Sequence, residues 1–139
     1  MNFTLTGQAG ERNDFIEAFE EFCRQRQVPS SVRQAADVAL EEHLTNVLNH
    51  GFDPGSKPQV VVRLELADNQ LEVEVEDTGK SFNPLAAPPV DISLPLEEKP
   101  IGGLGVHLMR EYMDDLAYAR IDNRNVLRMI KRYPPSANT

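Results

Sequence analysis

A chain of 139 residues suits one domain and is long enough to bury a real core. Its 40% hydrophobic and 26% charged residues are ordinary for a soluble globular protein. Twenty-two acidic residues against 14 basic give a net charge of −8, which argues against a general electrostatic grip on nucleic acid.

Cys23 is the single cysteine. No intrachain disulfide and no cysteine-based zinc site can form, which suits a reducing compartment. Met1-Asn2-Phe3-Thr4-Leu5-Thr6 lacks the basic start and apolar core of a signal peptide. No apolar run approaches membrane-spanning length. The expectation is a cytoplasmic protein that contacts neither membrane nor nucleic acid directly.

Phe3 and Leu5 alternate with polar neighbours and predict a short strand at a sheet edge. Residues from about 12 to 27 predict an amphipathic helix, with Phe15, Phe19 and Phe22 on one side beside Ile16 and Cys23. Cys23 reads as a small buried hydrophobe. Pro29-Ser30-Ser31 breaks the chain, and Ser30 or Ser31 is placed to cap a second helix running to about His50. Its apolar stripe is Ala36, Leu40, Leu44, Val47 and Leu48. At about 100° per residue, Glu42 and Asn46 fall roughly opposite that stripe, with Ala35 and Ala39 on their face. Small residues beside an acid and an amide leave room for a ligand. Glu41 projects elsewhere, towards the flank of the stripe.

Gly51 suits a left-handed cap, and Pro54 marks the loop after it. Residues 59–66 alternate as a strand, 67–70 form a hairpin connection, and 71–76 are the partner strand, running into Asp77. Glu72, Glu74 and Glu76 read as the solvent face of that strand rather than as a metal site. Residues 83–100 contain Pro84, Pro88, Pro89, Pro95 and Pro100 and read as a mobile loop. Gly103 to about Met113 predicts a helix. Residues 116–119 and 126–130 predict two final strands, joined through Asp122-Asn123-Arg124-Asn125. The tail from Pro134 reads as disordered. The order β, α, α, β, β, loop, α, β, β predicts one domain over residues 1–133. Its class is α/β (α+β), a two-layer sandwich with a mixed or largely antiparallel sheet and helices on one face.

Three pieces of this chain carry chemistry. Glu42-x-x-x-Asn46 sets a carboxylate and an amide one helical turn apart. The amide oxygen is a hard ligand suited to Mg²⁺, and the carboxylate can orient or deprotonate a nucleophile. Asp77-x-Gly79 follows a strand: Asp77 can accept a hydrogen bond from adenine's exocyclic amine, and Gly79 lets backbone approach the ring. Gly102-Gly103-x-Gly105 opens a helix, where free amides can cradle phosphates. Each alone is common on folds with other uses. No G-x-x-x-x-G-K-[ST] run is present, nor H-R-D with D-F-G, so neither a P-loop nor a eukaryotic-type kinase is indicated. Lys80 reads as solvated, and His43 and His107 as surface or packing residues.

Together and in this order, the three pieces resemble the N, G1 and G2 boxes of the GHKL ATPase superfamily, which includes gyrase, Hsp90-type chaperones, histidine kinases and MutL. Within it the chain is most similar to the small anti-sigma-factor serine/threonine kinases. The similarity is carried by Glu42-His43-Leu44-Thr45-Asn46-Val47-Leu48-Asn49-His50-Gly51, by Asp77-Thr78-Gly79-Lys80-Ser81-Phe82-Asn83-Pro84, and by Gly102-Gly103-Leu104-Gly105-Val106-His107-Leu108-Met109. It covers nearly the whole chain.

The resemblance implies a Bergerat-type sandwich that binds ATP with Mg²⁺. Asn46 would hold the metal, and Glu42 would act as base towards a serine or threonine hydroxyl. Asp77 would read adenine, with Gly79 and Phe82 beside it. Gly102, Gly103, Leu104 and Gly105 would lie near the phosphates, under an ATP lid of about residues 83–101. His50 is expected to cap its helix, the alternative being a contact to phosphate or metal. The implied partners are a STAS-domain anti-sigma-factor antagonist, which is phosphorylated, and a sigma factor, which is sequestered. Such kinases commonly form homodimers.

Three departures from the family pattern stand out. Ser81 takes the place of a second glycine seen in many G1 boxes. No arginine precedes Gly102 in the lid, where Lys99 is the nearest cation and supplies charge without a bidentate fork. A threonine common on a late strand is missing, and Val126-Leu127-Arg128 stand there. Two other functions therefore remain beside the kinase: an ATP-sensing module that sequesters a partner without phosphotransfer, and a catalytic domain cut from a histidine kinase.

Overall fold

A computed structural model of the chain describes residues 1–86 and 103–134. Strand β1 (Asn2–Leu5) is followed by helices α1 (Glu11–Gln25) and α2 (Ser30–His50). Strands β2 (Val60–Ala67) and β3 (Gln70–Asp77) lead to a single 3₁₀ turn, Pro84–Ala86. Helix α3 (Gly103–Tyr112) and strands β4 (Asp115–Ile121) and β5 (Arg124–Arg132) complete the described chain. The strands form one sheet in the order β1-β2-β3-β5-β4, and every neighbouring pair is antiparallel.

Two tight hairpins build most of that sheet. Asp68 and Asn69 turn β2 into β3 with φ of 48° and 60°, and Asp122 and Asn123 turn β4 into β5 with φ of 50° and 62°. Short polar side chains tolerate this left-handed backbone, and its twist matches the right-handed twist of the strands. Alternation then divides the sheet into two faces. Val62, Leu64, Leu71, Val73, Val75, Leu127 and Met129 are buried beneath Phe15 and Phe19 of α1, Leu40 and Leu44 of α2, and Met109 of α3. Each fully buried side chain of this kind contributes roughly 1.5–3 kcal/mol. The other face carries Glu72, Glu74 and Glu76, paired with Arg128, Arg63 and Arg124.

Three local expectations are corrected. Neither Ser30 nor Ser31 caps α2; Pro29 holds the cap position, and its carbonyl takes the amides of Val32 and Arg33, both at 3.0 Å. Gly51 is not left-handed, with φ −84°, and its amide continues the helical pattern to the Val47 carbonyl at 2.8 Å. Ala35 and Ala39 do not open space for a ligand: both are buried, because α2 packs against α3 as well as against the sheet. Cys23 is buried as expected, and burial pushes its thiol up to about 11.

The lid expected over 83–101 lies outside the described residues from residue 87 on, as do Lys99, Gly102 and the tail beyond Pro134. Among the described residues no helix is long and apolar enough to cross a membrane.

Candidate functional site

Strand β3 ends on Asp77, which alternates in phase with Leu71, Val73 and Val75 and so lies on the core face of the sheet. It is 2% exposed, yet it is a carboxylate. Its Oδ1 accepts the Gly79 amide at 2.8 Å and the Asn125 side-chain amide at 3.0 Å. Burial raises the Asp77 pKa; the hydrogen bonds from Asn125 and Gly79 and the nearby Arg120 oppose that rise. Both hydrogen bonds fall on Oδ1, so Oδ2 retains the capacity to accept from a ligand.

Asn125 sits directly across the ladder from Asp77, in register on β5, and is 6% exposed. Its amide nitrogen also donates to the Lys80 carbonyl at 2.7 Å. Its oxygen accepts from the Tyr118 hydroxyl at 2.5 Å and the Phe82 amide at 3.3 Å. All four hydrogen-bonding positions of this amide are thus used, and the carboxylate, the loop after it and β4 are locked together.

Gly79 meets a second constraint. A Cβ there would stand 2.5 Å from the Gly51 carbonyl oxygen and 2.9 Å from Asp77 Oδ1. The Gly51 carbonyl also accepts the Lys80 amide at 2.8 Å. The turn after β3 and the end of α2 therefore touch backbone to backbone, and only glycine fits at 79 without displacing one of them. Arg120 closes the same turn by donating to the Gly79 carbonyl at 2.9 Å.

Between these elements lies a cavity of about 180 Å³. Asp77, Lys80, Ser81 and Phe82 line one part of it, with Tyr118, Asn125 and Leu127 from the last hairpin. Helix α2 supplies His43, Asn46, Val47, His50 and the following Gly51. Asn46 Nδ2 and His43 Nδ1 are both enclosed and have no partner among the described residues. An apolar chamber with a fixed carboxylate and uncommitted polar atoms has the chemistry to hold a ligand with an apolar body and a polar edge.

The structure thus gathers Asn46, His50, Asp77 and Phe82 around one cavity, with Gly79 in the turn that shapes it. His50 is exposed at the last position of α2. Glu42 is half-buried one turn before Asn46 and stands outside the lining of this cavity. Gly103, Leu104 and Gly105 form the first turn of α3. Asn125, Tyr118 and His43 were not anticipated as site residues. The sequence pattern starts the last strand at residue 126, whereas β5 begins at Arg124 and brings Asn125 into the ladder.

Residues 10–131 match the family model described as "Histidine kinase-like ATPase domain". The chain belongs to this GHKL-type family. The ATPase domain is 26% identical over 106 residues to the serine/threonine-protein kinase BtrW of Bordetella bronchiseptica, covering 76% of this chain and 75% of that protein. It is 35% identical over 96 residues to the serine-protein kinase RsbW of Bacillus cereus, covering 65% of this chain and 58% of that protein. Among solved structures it resembles the blue-light activated histidine kinase of Erythrobacter litoralis, with a TM-score of 0.56 and 23% identity. That match covers 76% of this chain and 31% of the histidine kinase, and it supports the Bergerat fold. The ATPase domain thus spans little more than half of the Bacillus relative and about a third of the histidine kinase chain.

Proposed function

We propose that this ATPase domain is a Mg-ATP-dependent serine/threonine protein kinase of the anti-sigma-factor type. It would phosphorylate a STAS-domain antagonist and sequester a sigma factor. The observation that carries the nucleotide reading is Asp77: a buried carboxylate at a cavity wall, with Oδ1 taken twice and Oδ2 able to accept. Adenine's exocyclic amine is the matching donor. The names of the relatives as serine/threonine-protein and serine-protein kinases support phosphoryl transfer to a hydroxyl.

The residues present fit Mg²⁺. Among the described residues no cluster of three or more His, Cys, Asp or Glu forms a metal cage. Mg²⁺ does not require one, because it uses one or two protein oxygens and completes its octahedron with phosphates and water. Asn46, at the cavity wall, carries a side-chain amide oxygen that would serve as such a ligand. When bound, the ion would offset the negative charge of the phosphates.

The chain's own residues then have distinct tasks. Asp77 orients the base, and the amides of the first turn of α3, which have no partner within the helix, favour phosphate oxygens. Glu42, one turn before Asn46, takes the proton of the incoming serine or threonine hydroxyl. The hydroxyl oxygen bonds to the γ-phosphorus, the bond from that phosphorus to the β–γ bridging oxygen breaks, and ADP leaves. Such transfer depends mainly on positioning and charge stabilisation.

The test is to incubate the purified protein with labelled ATP, Mg²⁺ and STAS-domain proteins from the same genome. Label on a STAS-domain serine or threonine is the expected result. ATP binding without transfer to any of them would favour the sensing module.

A further inference from the structure

We propose that His43 is a second base-reading group of this cavity, its ring N–H donating a hydrogen bond to a ring nitrogen of the purine, directly or through one water. The inference rests on the nucleotide reading of the cavity and adds a specificity residue to it.

His43 is 3% exposed, lines the cavity and has Nδ1 enclosed without a partner among the described residues. A buried polar group left unpaired is destabilising, so a protein that needed only packing here would be better served by an aliphatic side chain. The helix places His43 three residues before Asn46, so the two project from neighbouring turns of the same side. Both end in an enclosed nitrogen without a partner among the described residues, and both line the same cavity. Two orphaned polar atoms on one wall point to one ligand rather than to two separate packing defects.

The chemistry of the ring is suited to this task. Burial pushes the His43 pKa down to about 4, so the imidazole is neutral near pH 7. A neutral imidazole carries one donor and one acceptor. Its donor complements the purine ring nitrogens, which only accept. Asp77 Oδ2 meanwhile accepts from the exocyclic amine. An acceptor and a donor from two different walls match adenine and disfavour a base with the opposite edge pattern.

The experiment measures binding of ATP and of its 1-deaza, 3-deaza and 7-deaza analogues by calorimetry, each of which replaces one ring nitrogen with C–H. Unaltered protein should bind one analogue about tenfold more weakly than ATP, the equivalent of about 1.4 kcal/mol. His43→Leu should bind ATP and that analogue alike. His43→Gln, which keeps a donor, should restore part of the difference. Independently of any variant, the imidazole ¹⁵N signals of the unaltered protein should move on addition of ATP, and move less with the affected analogue. Equal affinity of the unaltered protein for all four nucleotides, or an unchanged penalty in a folded His43→Leu protein, overturns the assignment. Failure of the unaltered protein to bind ATP overturns the nucleotide reading itself, and this assignment with it.

Discussion

Asn125 donates to Asp77 across 3.0 Å from the neighbouring strand, and it spends its remaining hydrogen bonds on Lys80, Phe82 and Tyr118. One amide thereby sets which oxygen of the carboxylate is occupied and which is offered. Replacing it with alanine leaves a buried carboxylate and the Lys80 carbonyl each short of a donor. Asn125→Ala should destabilise the fold by about 1–3 kcal/mol and weaken ATP binding as well. Tyr118→Phe removes only the hydroxyl donor and should cost about 1 kcal/mol. Urea unfolding with parallel calorimetry measures both effects; an Asn125→Ala protein with unchanged stability and affinity would remove the locking role.

Gly79→Ala tests the backbone contact between the β3 turn and the end of α2. The added Cβ would lie 2.5 Å from the Gly51 carbonyl oxygen, which is backbone and cannot swing aside. Overpacking of this kind typically costs about 1–3 kcal/mol. The loss of ATP affinity should exceed what the stability change alone explains, because the same Cβ stands 2.9 Å from Asp77 Oδ1. A variant that binds ATP normally would show that the turn relaxes freely.

The strands and helices were largely legible because their periodicities are clean, as in Leu71-Glu72-Val73-Glu74-Val75-Glu76. The hairpin turns were legible from Asp68-Asn69 and Asp122-Asn123. What the pattern could not separate was turn from strand within Asp122-Asn123-Arg124-Asn125. All four are polar, but only the first two adopt left-handed backbone, and Asn125 already pairs with Asp77. The reading of Ala35 and Ala39 as open space on α2 fails for a different reason. Ala35 and Ala39 looked like space, whereas a second helix packs over α2. Counting back from Asn46 along the i−3 and i−7 positions gives His43 and Ala39, so the spacing itself could have drawn His43 into the site.

His43 also predicts an acid limb of stability. Its pKa falls from the ordinary 6.5 to about 4 in the folded protein, because burial disfavours the charged ring. Between those values the unfolded chain binds more protons than the folded one, so stability falls as pH falls. The full effect is on the order of 3 kcal/mol, present above pH 6.5 and lost on approach to pH 4. His43→Leu should flatten this part of the profile. Thermal unfolding midpoints over that range provide the check, and identical slopes in both proteins would contradict it.

Asp77 has the opposite sign. Its pKa is raised, chiefly by burial, so the folded protein holds this proton to higher pH than the unfolded chain does. Its own contribution to stability therefore declines as pH rises from the ordinary carboxylate value through the raised one. Ligand binding runs the other way, since the ionised carboxylate is the better acceptor for adenine's amine. ATP affinity should drop as pH falls through the raised value, and Asp77→Asn should bind more weakly above that value, with the dependence removed. Calorimetry at several pH values tests this; a pH-dependent decline persisting in Asp77→Asn would assign it to another group.

Glu42 decides between kinase and sensor. It lies four residues before Asn46 on α2, whereas Glu41 turns towards α1 and pairs with Arg12 at 2.6 Å. Arg12 also donates to Thr45 at 2.9 Å, so Glu41 belongs to a tie between helices. Glu42→Gln keeps the shape and removes the basic oxygen pair. A general base contributes about a hundredfold to ten-thousandfold in rate, so label transfer should fall by that order while ATP affinity stays nearly intact. Glu41→Gln should leave transfer almost unchanged and at most loosen α1 against α2, because a partly exposed ion pair contributes about 0–1 kcal/mol. Single-turnover transfer to the proposed STAS-domain substrate, measured beside ATP binding, separates the cases. Unreduced transfer by Glu42→Gln would strike Glu42 from the mechanism, whereas binding without any transfer by the unaltered protein would make this ATPase domain a sensor.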